Sequence, residues 1–417
     1  ARVQRIRRAT QGTQNANQGA MRIVHLIAPS AAGGAESSVR SLALGQRALG
    51  HDVEVVTLTS RTTDEHPFVE RLRREDLAVT DIRTGRMDYL AESRAVGSLL
   101  SRRRADILHT HVYHADTVGY VAASQLGIPQ VATMHGFTGG SVRLAAYLKL
   151  DMWVLRRCAA VIAVSPNVKE CALNEGIRPN RLHLVPNGYE PLPGGALERS
   201  EAREQLRLPK TAPMIGWIGR MSQEKGGDMA LEAFAKVKPR CAEIAMIGDG
   251  PERVNLELIA RHLRLASDRV HFPGRLNDAA RYLSAFDALV LSSRTEGTPM
   301  VLLEAMAARL PIVSFAVGGV PAMLTSESAL LVSTGDVAGL TRALTFALTC
   351  KTASEARAAA AHRIFEQRYT TSQCASRLLE IYGRVIRAQY VPRDVDAMAA
   401  RWSQLSPVAS LHRSASM

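Results

Sequence analysis

The sequence predicts an α/β protein made of two consecutive Rossmann-like, doubly wound domains. Two observations carry this reading. Short apolar runs alternate with helix-forming segments along most of the chain, the order that a parallel sheet with crossover helices requires. The alternation also breaks once, at Asn187–Pro213, where NGYEPLPGG precedes a charged segment, and then begins afresh. A chain of 417 residues has enough material for two such cores.

In the first half, Arg22–Ala28 (RIVHLIA) reads as a buried strand, Pro29–Gly34 as a small-residue loop and Ala35–Leu49 as an amphipathic helix. Strands follow at Val53–Leu58, Ile107–Thr110, Gln130–Met134 and Ala160–Val164, with helices near Ala91–Arg103 and Asp116–Leu126. The second half opens with the strand Met214–Gly219 and the helix Asp228–Val237. It continues through strands at Glu243–Gly248, Val270–Pro273, Ala288–Ser292, Ile312–Phe315 and Ala329–Val332. The domains are therefore expected at 21–190 and 214–371, joined by a linker 191–213 that carries a charged helix Arg199–Leu206. Residues 1–20 hold four Arg and no acid among Gln, Asn and Gly, and read as a disordered leader; residues 391–417 read as a loose tail.

Composition narrows the class. The five cysteines, Cys158, Cys171, Cys241, Cys350 and Cys374, are widely spaced and form no C-x-x-C, which argues against a disulfide framework or a zinc site and for a reduced, cytoplasmic setting. No apolar run approaches the roughly 18–20 residues that span a bilayer. The net charge is +13, or about +9 without the leader, and favours anionic partners such as membrane lipid or phosphorylated substrates. Nucleic acid is disfavoured, since aromatic residues make up only 5% and no helix-turn-helix, RRM-like or zinc-finger pattern occurs.

The chemistry concentrates in loops that follow strands, where open parallel sheets bind ligands. In Ser292–Ala308 (SSRTEGTPMVLLEAMAA) a strand gives way to a loop with Glu296 and Gly297, then to a helix for which Thr298 is the expected N-cap and Pro299 the first residue. Glu304 sits on that helix with apolar neighbours Met300, Val301, Ala307 and Ala308, so its carboxylate needs either a nearby Arg or the hydroxyls of a ligand. Gly219–Gly227 (GRMSQEKGG) leads into a helix N-terminus, and Arg220 and Lys225 add two cations suited to a diphosphate. It lacks the G-x4-G-K-[ST] order of a P-loop. In the first half, Gly33, Gly34 and Glu36 (GGAE) form the loop after the first strand, and His135 stands after a strand in TMHG. His109, His111 and His114 (HTHVYH) suggest a metal cluster on spacing alone, but no Asp/Glu triad accompanies them and no metal site is expected.

Glu296 and Glu304 resemble the E-x7-E signature of retaining glycosyltransferases of the group 1 superfamily, family 4-like, and GRMSQEKG resembles that family's G-R-x4-K-G diphosphate loop. AVGGVPA (Ala316–Ala322) is similar to its G-G-x-P-E loop, with Ala322 where Glu is common, and LVPNGY (Leu184–Tyr189) to its V-P-N-G. The resemblance spans roughly Met21–Gln389. It implies the GT-B architecture, two Rossmann-like domains facing a central cleft, with a C-terminal helix, 372–390, returning to the first domain.

The resemblance further implies a retaining transfer from a UDP- or GDP-sugar, used as substrate without a further cofactor, to a glycolipid or polysaccharide-precursor acceptor in bacterial envelope or exopolysaccharide synthesis. Arg220 and Lys225 would take the diphosphate, Glu296 with Gly297 and Thr298 the sugar, Glu304 the ribose, and Gly33 and Gly34 would face the donor. His135 would assist from the opposite wall, with Glu36 toward the acceptor; apart from the resemblance, His111 is also placed near the acceptor side. A nucleotide-sugar 2-epimerase of the same architecture and a non-catalytic nucleotide-sugar-binding protein are the alternatives. Ser141–Arg157, which mixes Arg143, Lys149, Arg156 and Arg157 with Leu144, Tyr147, Leu148, Trp153 and Leu155, suggests a peripheral location on the inner face of an anionic membrane.

Overall fold

The computed structural model describes residues 19–30, 33–61, 64–85, 88–136, 142–192, 194–265 and 268–388, the side chains of 142–147 excepted. The expected leader, apart from its last two residues, and the expected tail lie outside these ranges.

The first sheet consists of β1 (Arg22–Ile27), β2 (Asp52–Ser60), β3 (Ala78–Thr84), β4 (Ile107–His111), β5 (Gln130–Met134), β6 (Ala160–Ala163) and β7 (Leu182–Leu184). The second consists of β8 (Met214–Ile218), β9 (Glu243–Ile247), β10 (Val270–Gly274), β11 (Ala288–Leu291), β12 (Ile312–Phe315) and β13 (Leu330–Val332). All pairs are parallel, in the orders β3-β2-β1-β4-β5-β6-β7 and β10-β9-β8-β11-β12-β13. Both sheets therefore reverse their winding beside their first strand, at β1/β4 and at β8/β11, and the loops leaving those strands open into a crevice.

Helices α1 (Gly34–Ala48), α2 (Pro67–Arg74), α3 (Tyr89–Arg103), α4 (Tyr113–Leu126), α5 (Val142–Leu155) and α6 (Pro166–Asn174) accompany the first sheet, and α7 (Arg199–Gln205) lies in the linker. Helices α8 (Gly227–Phe234), α9 (Arg253–His262), α10 (Met300–Ala307), α11 (Val320–Met323), α12 (Val337–Thr349) and α13 (Lys351–Arg368) follow in the second half, and α14 (Thr371–Ala388) ends the described chain. Local chemistry sets several starts: Asp88 accepts from the Ala91 N–H at 3.1 Å and Asp336 from the Gly339 N–H at 2.8 Å, each satisfying a first-turn donor.

Central strands are buried and mostly apolar because both faces are covered by helices, which is why β1, β5, β6, β11 and β12 were legible. Strand β3 (AVTDIRT) was not expected. It is an edge strand, and its polar alternation with Thr80, Asp81 and Arg83 hides it from a search for apolar runs.

Helix α14 leaves the second domain and packs on the first. Cys374, Leu378, Ile381 and Tyr382 join one apolar cluster with Val39, Leu42 and Ala43 of α1. The linker runs beside this crossing, where the Tyr189 N–H donates to the Tyr369 carbonyl at 3.0 Å. The α1–α14 contact is so close that a Cβ on Gly45 would stand 2.4 Å from Thr371 Cγ2 and 3.0 Å from Ala375 Cβ. Gly45→Ala should therefore lower stability by about 1–2 kcal/mol in denaturant titration, although alanine is the better helix former. Gly85→Ala, with nothing within 4 Å of its Cβ, should stay within about 0.5 kcal/mol of the parent.

Candidate active site

Two loops of the second domain, leaving the adjacent strands β8 and β11, are laced together. Gly226 has φ +62°, and a Cβ there would stand 2.0 Å from the Ser292 carbonyl oxygen, so only glycine permits the contact. Ser292 Oγ donates to the Gly226 carbonyl at 2.7 Å and accepts from Trp217 Nε1 at 3.1 Å. Arg294 grips Asp228 through both terminal nitrogens, at 2.9 and 2.6 Å, and its N–H donates to the Glu224 carbonyl at 2.8 Å. The result is that Lys225 Nζ stands 2.7 Å from Glu296 Oε1, which also accepts from Ser293 Oγ at 2.6 Å.

Arg220 is exposed on the same loop, and its guanidinium makes no hydrogen bond or ion pair among the described residues. Its charge is felt nonetheless. Glu224 lies below the usual carboxylate range although burial acts to raise it, because the Ser222 hydroxyl, its own backbone, Arg220 and Lys225 all favour the anion. The helix that follows, α8, opens on Gly226 with no side-chain cap, leaving its first N–H groups available.

Thr298 does not cap α10, contrary to expectation. Pro299 is the N-cap residue, and the Thr298 hydroxyl instead donates across the interdomain seam to the Val164 carbonyl of the first domain. The Thr298 carbonyl accepts from Asn187 Nδ2 at 3.4 Å and that of Glu296 from Asn167 Nδ2 at 3.3 Å, so this loop is where the domains meet.

Glu304 on α10 has no hydrogen bond or ion pair to its carboxylate among the described residues. Arg71 and Arg40, the two cations whose fields act on it, are committed to Glu75, at 3.5 and 2.6 Å, and Arg71 also lies 3.5 Å from Asp278. Burial raises the Glu304 carboxyl to about 7, against the fields of Arg71 and Arg40. The arginine salt bridge considered from sequence is thus not formed, and the carboxylate stays open for hydroxyl donors.

On the facing wall, Gly33 precedes α1 in extended backbone, and a Cβ on Gly34 would touch Met300 Cγ at 3.3 Å, so this loop borders α10. Glu36 is buried. Its Oε1 accepts from the Ser30 N–H at 2.6 Å and from Ser30 Oγ at 3.0 Å, clamping the loop after β1, while Oε2 has no partner. His135 ends β5 where the domains touch: a Cβ on Gly297 would stand 2.5 Å from the His135 carbonyl oxygen. His111 does not open toward an acceptor. It is fully buried, with Nε2 taken by His25 at 3.0 Å and Nδ1 by His135 at 3.2 Å.

The imidazoles group differently from the sequence pattern. His114 turns away to Glu92 at 2.6 Å, and His25 joins His109 and His111, their nitrogens within 4.8 Å of one another. A histidine in the apolar run RIVHLIA was the available signal. Arg294, Asn167 and Asn187 also escaped notice, since each acts through a contact distant in sequence, and so did Ser293, whose hydroxyl bonds Glu296 three positions on.

Two doubly wound parallel sheets meeting at a seam into which these loops open define the GT-B architecture. A family model described as Glycosyltransferase Family 4 matches residues 32–191 and one described as Glycosyl transferases group 1 matches residues 212–349, together well over half of the chain. The chain belongs to this glycosyltransferase family and is an enzyme of the transferase class.

Among its relatives, the D-inositol 3-phosphate glycosyltransferase of Xylanimonas cellulosilytica is 28% identical over 68% of this chain and 72% of its own. The N-acetyl-alpha-D-glucosaminyl L-malate synthase of Bacillus anthracis is 26% identical over 60% of this chain and 67% of its own. The structure of Anabaena Alr3699/HepE in complex with UDP-glucose superposes with a TM-score of 0.76 at 21% identity, covering 87% of this chain and 100% of that one, which shows a shared fold.

The raised Glu304 pKa makes a stability prediction. The folded protein holds this proton more tightly than the unfolded chain, so the associated stability is present below the unfolded pKa of about 4.5 and lost as pH rises through about 7. Glu304→Gln removes that loss. The variant should match the parent near pH 5 and exceed it by about 1–3 kcal/mol at pH 8 in denaturant titrations. Asp116 and Asp151, whose carboxyls burial also raises, cancel in the difference between the two proteins.

Proposed function

We propose that the enzyme transfers a sugar from a nucleoside-diphosphate sugar with retention of configuration, the second domain holding the donor and the first the acceptor. The contact between Lys225 and Glu296, at 2.7 Å beside the unpartnered Arg220 and the α8 N-terminus, carries this reading. A diphosphate placed there meets two cations and free backbone N–H groups, and the charge that grows on it as the sugar departs is stabilised most where those groups are already oriented. Glu296, fixed by Lys225 and Ser293, accepts from hydroxyls of the sugar, while Glu304 accepts from the two ribose hydroxyls.

The two protein cations supply the charge that a divalent ion provides elsewhere, so activity is expected to survive excess EDTA. Loss of activity restored by a divalent ion would overturn that part. Lys225→Ala and Arg220→Ala should each lower turnover about ten- to a hundredfold, the equivalent of roughly 1.5–3 kcal/mol for a hydrogen bond to a charged group. UDP- and GDP-sugars are the first donors to test, with undiminished turnover in either variant contradicting the site. Donor affinity should rise as pH increases through about 7, because hydroxyl donors favour ionised Glu304, and Glu304→Gln should flatten that dependence.

The acceptor proposed is a glycolipid or lipid-linked saccharide, met at an anionic membrane surface on the cytoplasmic side. No helix among the described residues is long and apolar enough to cross a membrane. Helix α5 instead exposes Leu150 at 42% and Trp153 at 43%, and the Arg157 guanidinium lies 3.7 Å over the Trp153 ring. Arg143, Leu144 and Tyr147 fall outside the described side chains. Binding to anionic vesicles should be salt-sensitive and should weaken when Arg156 and Arg157 are both replaced by Glu. Equal partitioning to neutral vesicles, or to none, would favour a freely dissolved acceptor.

A further inference from the structure

A continuous hydrogen-bonded chain of side chains crosses the interior of the first domain and ends at the cleft. His109 Nε2 lies 2.7 Å from Thr133 Oγ1, and its Nδ1 lies 2.5 Å from the Tyr382 hydroxyl. That hydroxyl accepts from Gln46 Nε2 at 3.3 Å, and Gln46 Oε1 lies 2.8 Å from His25 Nε2. His25 Nδ1 then meets His111 Nε2 at 3.0 Å, and His111 Nδ1 meets His135 Nε2 at 3.2 Å. His135 Nδ1 is left without a partner among the described residues, although it is buried. It belongs to a residue whose backbone touches Gly297, next to Glu296.

The chain has a sense. Burial lowers the pKa of His25 and His135 to about 4 and that of His109 and His111 well below the ordinary range, so each neutral ring carries one proton and donates in one direction only. A phenol O–H is a much stronger acid than a neutral imidazole N–H, so the short contact at Tyr382 is best made with the phenol donating to His109 Nδ1. The phenol oxygen then accepts from the Gln46 amide, which turns Oε1 toward His25. His25 must donate from Nε2, His111 from Nε2 to His25 Nδ1, and His135 from Nε2 to His111 Nδ1. The His135 Nδ1 lone pair is what remains.

We propose that Gln46, His25 and His111, with Tyr382 setting the direction, form a positioning relay that holds His135 as its Nε2–H tautomer and presents Nδ1 as a hydrogen-bond acceptor to a hydroxyl of the sugar in the cleft. The last clause rests on the proposed transfer reaction; the tautomer does not. Being neutral and fixed, the acceptor needs no proton rearrangement when a hydroxyl arrives. His25, His111, Gln46 and Tyr382 are positioning residues that act through His135 and need not touch the substrate.

The test is nitrogen-15 NMR of histidine-labelled protein, with steady-state kinetics on the same variants. The full chain should show His135 protonated on Nε2 alone. His111→Gln keeps an acceptor oxygen toward His135 and a donor toward His25, so it should hold that tautomer and keep kcat within about threefold. His111→Leu removes both. It should give a mixture of His135 tautomers and lower kcat at least tenfold, with UDP or GDP affinity unchanged and the circular dichroism spectrum intact.

A proton on Nδ1 in the parent protein would overturn the relay. So would a tautomer unmoved by His111→Leu, or equal damage from the Gln and Leu variants. A stoichiometric zinc ion in the purified protein, held by His25, His109 and His111, would overturn it too, since those nitrogens would no longer be shared with one another. If instead the tautomers behave as described while no nucleotide sugar is turned over, the relay stands and the transfer reaction fails.

Discussion

The Glu296 loop is set by contacts that leave no room for a β-carbon. Gly226 and Gly318, at φ +62° and +56°, bring backbone so near that a Cβ would stand 2.0 Å from the Ser292 carbonyl oxygen and 1.9 Å from that of Glu296. Gly319 closes on the Gly297 carbonyl oxygen, where a Cβ would stand 2.0 Å away, and Gly297 on that of His135. A loop stacked on bare backbone from three sides has little freedom to shift, which is what an electrostatic site requires: its groups must be oriented before charge develops. The same contacts bring the residue after β5 of the first domain, His135, against the loop after β11 of the second, so the position of Glu296 and the closure of the two domains are one constraint.

Within that frame, two carboxylates eight positions apart occupy opposite environments. Glu296, the more buried of the two, has a lysine and a serine hydroxyl on one oxygen, whereas the half-buried Glu304 has no bonded partner among the described residues. The pair is thus divided into a fixed acceptor and an unsatisfied one. A half-buried carboxyl without a protein partner is costly to ionise, and a ligand whose hydroxyls satisfy it offsets that cost on binding. Arg71 connects this to domain closure, since it contributes to the field at Glu304 while contacting Asp278 of the other domain at 3.5 Å. Opening the cleft would alter that field.

The fold was legible because its central strands are buried on both faces and read as mostly apolar runs, and because the glycine and proline punctuation at Asn187–Pro213 marks the domain break. The same logic fails at the edge, where β3 alternates polar residues. Loop chemistry was legible only where a side chain acts on its own neighbourhood: Lys225 and Glu296 were named from their loops, and the structure brings them into contact. Thr298 illustrates the opposite case. Its sequence setting is that of a helix cap, yet its hydroxyl bonds a carbonyl 134 positions away, a partner that local pattern cannot supply. His111 was placed near the acceptor side, but the alternation of side chains along β4 turns it, with His109, into the interior.

That interior is polar where a Rossmann-like domain is usually apolar, and the reason lies in helix α14. Tyr382, from the far end of the chain, is fully buried and supplies a phenol that His109 and Gln46 both use. The returning helix therefore contributes more than an apolar face. Without Tyr382 the His109 Nδ1 and one Gln46 N–H would be buried and unpaired, each at a cost of about 1–3 kcal/mol. A network in which every member depends on the next favours one arrangement over near alternatives more strongly than apolar packing does. Docking of α14 on α1 thus determines how the polar groups of this interior are satisfied and, through the relay proposed above, would reach His135 at the seam with the second domain.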